Sequence, residues 1–204
     1  MTIQTVVQSA ALRVAGTVPA AVFSSTEQVV VEMRDLVKDV AMEIASAAEW
    51  RSLTKIATMT GSPSFPVPAD YDRMCVGQGM MDQANWFWGY VAYPDVSSYL
   101  MAVNGQVPTM DPGGWIILDG EFKFWPTPSG TATFPYISKF LVRSADGVAK
   151  ETFTADDDTF ILSERLLTLG LIWRYRAQKG LDYSEDMATF GIELSQMQTR
   201  DKGA

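Results

Sequence analysis

Residues 115–125 read Trp115-Ile116-Ile117-Leu118-Asp119-Gly120-Glu121-Phe122-Lys123-Phe124-Trp125. Two apolar runs of strand length flank an Asp-Gly pair. That pattern predicts a two-residue type I′ hairpin, because both turn positions need positive φ and Asp-Gly tolerates it. Pro126-Thr127-Pro128-Ser129-Gly130 then turns the chain into a third extended run, Thr131–Tyr136. On the N-terminal side lie two more extended runs, Ile56–Thr60 and Phe65–Val67, and a short helix predicted over Asp95–Val103 that crosses between strands. Residues 53–157 as a whole hold nine of the ten prolines and 16 of the 23 aromatics. Such enrichment marks short strands joined by turns.

The flanks are different. Val30, Met33, Val37, Val40, Ile44 and Ala47 fall three and four residues apart, one stripe of a helix. Glu32, Asp35, Lys38, Asp39 and Glu43 occupy its other side, and Trp50 closes it by packing back. Ser24 and Ser25 are candidate caps, with Ser24–Glu27 at capping-box spacing. A shorter helix is expected around Thr5–Val14, ended by Gly16 and Pro19. Helices resume near Ile161, where Leu162, Leu166, Leu169, Gly170, Trp173 and Ala177 form one stripe and Leu167 and Leu171 widen it into a second face. A helix apolar over so much of its girth must be covered on several sides. Gly180 is a candidate C-cap. Asp182 and Glu185 are a candidate box for the last helix, whose apolar side is Met187, Phe190, Leu194 and Met197. The expected fold is α+β: a helical bundle from residues 1–52 and 158–204, with an antiparallel β-rich subdomain inserted at 53–157.

Composition narrows the function. The 204 residues contain no histidine and one cysteine, Cys75. Ser–His–Asp and Cys–His catalysis, histidine metal ligation and an intrachain disulfide are thereby excluded. No enzyme activity, metal or cofactor is expected. The net charge of −8 opposes tight binding to a phosphate backbone. No positively charged segment precedes an apolar core at the N-terminus, and no apolar run reaches about 18 residues, so neither a secretory signal nor a membrane span is expected.

Several side-chain groups invite sharper readings. Asp156-Asp157-Asp158 lacks calcium-loop spacing, and acidic residues leading into a helix N-terminus, where the dipole favours them, are the expected role. Asp119 and Glu121 flank a turn and have no other mark of a glycosidase pair. Trp86, Trp88 and Tyr90 would suit a sugar-binding platform, but aromatics in a small β-subdomain more often fill its core. Arg174, Arg176 and Lys179 would suit DNA contacts, but in so acidic a chain salt bridges to neighbouring subunits are favoured. Cys75 is expected to be a small core residue.

The order of these parts carries a resemblance. A long helix ends in Ala48-Glu49-Trp50-Arg51-Ser52-Leu53, and Pro68-Ala69-Asp70-Tyr71-Asp72-Arg73 follows the first strands. A hairpin ends in Phe124-Trp125-Pro126-Thr127-Pro128. The chain closes through Trp173-Arg174-Tyr175-Arg176-Ala177-Gln178-Lys179-Gly180-Leu181-Asp182-Tyr183. Over roughly residues 25–200 this resembles the head–tail adaptor, or connector, proteins of tailed bacteriophages; the Asp82–Tyr99 stretch departs from the pattern. The resemblance implies a structural virion protein without catalysis. It implies a ring of about twelve copies with heterologous contacts, set below the portal protein and above a tail or nozzle protein. The ring would be assembled in the host cytoplasm and would line the DNA ejection channel, with DNA passing through but not tightly held. The apolar second face then becomes an expected subunit or portal interface, comprising Leu167, Gly170, Leu171, Trp173, Arg174, Arg176 and Lys179. A carbohydrate- or protein-binding module of a tail or surface structure is the alternative.

Overall fold

The computed structural model describes residues 2–75, 80–82, 86–105, 113–128 and 130–203, with the backbone alone at 80–82, 86–88 and 132. The helices and strands run in the order α1 (Ile3–Ala15), α2 (Gln28–Ser46), β1 (Thr54–Thr60), β2 (Ser64–Pro66), β3 (Tyr71–Met74), β4 (Met80–Asp82), β5 (Trp86–Ala92), α3 (Val96–Asn104), β6 (Gly114–Leu118), β7 (Glu121–Trp125), β8 (Thr131–Ser138), β9 (Val142–Arg143), β10 (Ala149–Lys150), β11 (Thr159–Phe160), α4 (Glu164–Gln178) and α5 (Ser184–Asp201). The fold is α+β. One unit comprises Met1–Leu53 with Lys139–Ala204, and the other Thr54–Ser138. The three-stranded sheet β10-β9-β11 thus belongs with the helices, whereas the sequence boundary at 157 placed β9 and β10 in the insertion and only β11 with the helices.

In the β-rich unit the strands are ordered β1-β8-β4-β5-β6-β7-β2, with β3 also paired to β8. The Asp119-Gly120 turn has φ of 52° and 74°, as a type I′ hairpin requires, and registers Leu118 against Glu121. The sheet is mixed rather than antiparallel throughout. β5 runs parallel to β6 through Val91↔Gly114 and Ala92↔Trp115. A parallel pair needs a crossover, and α3 lies in that connection, capped by the Asp95 carboxylate on Ser98 N–H at 2.7 Å. Met59, Tyr90, Phe122, Phe124, Phe134 and Tyr136 form the core, with the Phe122 and Phe134 ring centroids 4.9 Å apart.

The Pro68-Ala69-Asp70-Tyr71 element has a structural job in this unit. Asp70 accepts hydrogen bonds from Tyr136 Oη (2.9 Å) and Ser138 Oγ (2.8 Å) on β8, and pairs with Lys55 on β1. Burial works against the Asp70 carboxylate, but these three donors outweigh it and hold its pKa below the usual value. Burial, reinforced by the same carboxylate, pushes the Tyr136 phenol up to about 12.

In the helical unit, the α2 stripe Val30, Met33, Val37, Val40 and Ile44 is fully buried; Ala47, which follows the helix, is exposed. Trp50 is buried and donates Nε1–H to Ile44 O at 2.7 Å, closing the chain back on α2. The expected Ser24–Glu27 box does not form. The N-cap is Glu27, and the Ser25 hydroxyl instead accepts the Glu27 N–H at 3.2 Å. Gly16 ends α1 at φ 69°, a left-handed position that favours glycine.

Candidate functional site

The over-apolar helix α4 packs against α1, α2 and α5 of its own chain. Leu167 and Leu171 are each 0% exposed. The expectation that a neighbouring subunit covers this second face is therefore corrected: within the chain it is already covered. Gly170 is the point of closest approach. A Cβ there would stand 2.4 Å from Val40 Cγ1 on α2 and 3.2 Å from Phe190 on α5. Gly170→Ala should lose about 1–2 kcal/mol in urea unfolding, since overpacking against a stiff valine outweighs the helix propensity that alanine gains. A neutral or more stable variant would show that α2 and α4 have room to spare.

The three cations at the end of α4 are likewise engaged within the chain rather than reserved for neighbours. Arg174 reaches Glu43 on α2 at 2.8 Å, Arg176 reaches Asp186 on α5 at 2.5 Å, and Lys179 reaches Glu32 on α2 at 2.7 Å. The Lys179 hydrogen bond lowers the Glu32 pKa, and the same bond raises that of Lys179. Pairs this exposed contribute little stability, but they fix the orientation of the helix end. Gly180, at φ 68°, turns the chain out of α4. The last helix starts differently from expectation: Asp182 binds Ser184 N and Oγ instead of boxing with Glu185, and Tyr183 is the N-cap. Phe190 is the buried residue of α5, whereas Met187 is exposed.

Trp173 is the apolar member of the predicted set that reaches the surface; Arg174 and Arg176 are half-buried like it, and Lys179 is exposed. The half-buried Trp173 ring lies 6.2 Å from both Tyr183 and Phe190, and the Arg174 guanidinium sits 4.3 Å over it. Trp173, Arg174 and Ala177 form one wall of a groove of about 670 Å³, and α2 forms the other. Trp173 Nε1 and Arg174 Nε are buried donors with no hydrogen-bond acceptor. Sequence periodicity missed the α2 wall because Arg34 and Lys38 lie off the apolar stripe.

The other candidates resolve as follows. Asp156 Oδ1 accepts the N–H groups of Val22 and Phe23, at 3.1 and 2.8 Å. The Asp158 carboxylate is buried against Lys150. It is the backbone carbonyls of Asp158 and Asp156 that accept from Ile3 and Gln4 at the start of α1, so the acidic run braces that helix through main chain instead of leading its charges into α4. Glu121 pairs with Lys123. Tyr90 is core, edge-on to Phe124, and is removed from any sugar platform; the Trp86 and Trp88 side chains lie outside the described residues. Cys75 is buried. Among the described residues no cluster of three or more Cys, Asp or Glu is placed to hold a metal, and no helix is long and apolar enough to cross a membrane.

The chain is α+β, and its described surface offers an open groove between α2 and α4. The SU10 adaptor protein family matches residues 1–202, and the chain belongs to it. This is a family of phage head–tail adaptors, so the protein is a phage adaptor and a virion component. No curated protein matches the chain.

Proposed function

We propose that this adaptor forms a homo-oligomeric ring of about twelve copies below the portal, joins the capsid vertex to the tail, and lines the channel through which DNA leaves. The observation that carries the proposal is the match of essentially the whole chain to the adaptor family. The portal protein binds above and a tail or nozzle protein below. Assembly takes place in the host cytoplasm. The chain acts by holding partners, with no cofactor and no catalytic step. The net charge of −8 fits a channel wall that DNA slides past, since a negative surface does not grip phosphate. Of the residues first assigned to the interface, Trp173, Arg174, Arg176 and Lys179 have surface to offer a partner; Leu167, Gly170 and Leu171 support the helix behind them.

The test mixes the purified chain with purified portal oligomers and measures mass by light scattering. A closed ring bound to the portal is expected, together with weak DNA binding by anisotropy at physiological salt. A chain that neither oligomerises nor binds portal overturns the ring, and tight, salt-sensitive DNA binding overturns the passive channel wall.

A further inference from the structure

The groove between α2 and α4 asks for a particular kind of occupant. Its apolar floor includes Val31, Leu36 and Trp173, and Arg34, Lys38 and Arg174 line it as well. Arg174 is neutralised by Glu43, and Glu32, on the α2 wall, by Lys179. Arg34 spends a hydrogen bond on a neutral group, Phe23 O at 3.0 Å, and Lys38 has no ion pair among the described residues. Against these two cations stands one acid of the lining without an ion pair, Asp35. The groove is thus locally positive in a chain of net charge −8. The two donors without acceptors, Trp173 Nε1 and Arg174 Nε, belong to the same wall. Both atoms lie beneath the surface of that wall, so what the groove offers a partner is its charge and its apolar face.

The same unit carries a matching knob. The turn between β9 and β10 puts Ala145, Asp146, Gly147 and Val148 in solvent, with Val148 65% exposed. Asp146 has no ion pair among the described residues. The turn is preformed: Gly147 N–H donates to Ser144 O at 2.9 Å, Ser144 N–H to Val148 O at 2.9 Å, and Val148 N–H to Ser144 Oγ at 3.2 Å. Gly147, at φ 81°, holds the conformation that glycine favours. A rigid turn loses little freedom on docking. The sheet that bears it joins α4 at its N-terminus, whereas Trp173 stands nine residues beyond Glu164, about 14 Å along the axis. Turn and groove are separate, dissimilar surfaces, as a heterologous contact requires.

We propose that the β9–β10 turn of one copy seats in the α2–α4 groove of the next, with Asp146 against Arg34 and Lys38 and Val148 against Trp173. The contact rests on the ring reading and supplies its lateral joint. Charge reversal tests it, because Asp146 and Lys38 are both exposed and their replacement leaves the core untouched. Asp146→Lys and Lys38→Asp are each expected to keep the wild-type circular dichroism spectrum and to weaken oligomerisation, alone or on portal, at least tenfold. The double variant is expected to recover most of the loss. Single variants that assemble like wild type overturn the contact and leave the ring standing, as does a double variant no better than the worse single one. Loss of portal binding by Lys38→Asp with normal behaviour of Asp146→Lys assigns the groove to a portal segment and also overturns it. A wild-type chain that stays monomeric with portal present refutes the ring, and this joint with it.

Discussion

Leu171→Asp is expected to leave no stably folded subunit. Leu171 is 0% exposed in the middle of α4, the helix against which α1, α2 and α5 all pack. The substitution removes about 2–3 kcal/mol of apolar burial. It also puts a carboxylate where neither water nor a partner reaches it, at a cost of several kcal/mol even after relaxation. The total is comparable to the whole stability of an ordinary domain, about 5–15 kcal/mol. Soluble yield and a circular dichroism melt are the measurements: insoluble protein or loss of the cooperative transition is expected. A variant that folds normally and fails only in assembly would return Leu171 to the subunit interface, the place that the sequence pattern suggested for it.

That reversal shows what periodicity carries. The spacing of Leu162, Leu166, Leu167, Gly170 and Leu171 measured how much of the helix had to be covered, and it was right that more than one neighbour was needed. It could not say whose surface does the covering, because girth is a property of one helix and coverage is a property of the packed set. α1 supplies Val6, Val7, Ala10 and Ala11 to the buried interior, but as a short helix beyond a Gly16–Pro19 break it gave no sign of where it docks. The cations followed the same logic. Arg174, Arg176 and Lys179 have acidic partners more than 100 positions away on α2 or across the turn on α5. No local pattern announces a pairing at that distance.

In the β-rich unit, turn chemistry made the fold legible where it was strong. Asp119-Gly120 fixed both the turn type and the β6–β7 register. The proline turn after Trp125 placed β8. β3, β4 and β5 were missed because Tyr71–Met74 and Met80–Asp82 are short and polar-interrupted, and the aromatic run from Trp86 lacks alternation. The parallel β5–β6 pair was hidden with them, although Asp95 and the short helix that makes the crossover were visible. The groove was illegible for a different reason: it is defined by polar residues off the apolar stripe, and a charge becomes conspicuous only once its neighbours are known to leave it uncompensated.

Asp158→Ala is expected to cost about 3 kcal/mol at neutral pH, the next largest loss after Leu171→Asp. The carboxylate is 0% exposed. Its Oδ2 accepts the N–H groups of Thr154 and Ala155 at 2.6 and 2.9 Å, and its Oδ1 lies 2.7 Å from Lys150 Nζ. Alanine leaves two backbone donors and an ammonium without their acceptor, and loosens the loop whose carbonyls hold the start of α1 and whose Asp156 side chain holds Val22 and Phe23. The effect has a definite pH signature. Burial alone would raise the Asp158 pKa, but the Lys150 ammonium and the two N–H groups outweigh it and hold the pKa below the usual aspartate value. The folded state therefore binds this proton less readily than the unfolded chain. The stabilisation is complete above the unfolded pKa, near 4, and is lost as pH falls through the lower folded value. Urea unfolding of wild type and variant side by side cancels the similar contribution of Asp70, which both retain. The gap between the two is expected to hold steady from pH 7 to about 4.5 and to narrow below about 4. A gap that stays constant to pH 2.5 would mean that the contribution of Asp158 comes from its shape and not from its charge, and Lys150 would then have no part in bracing α1.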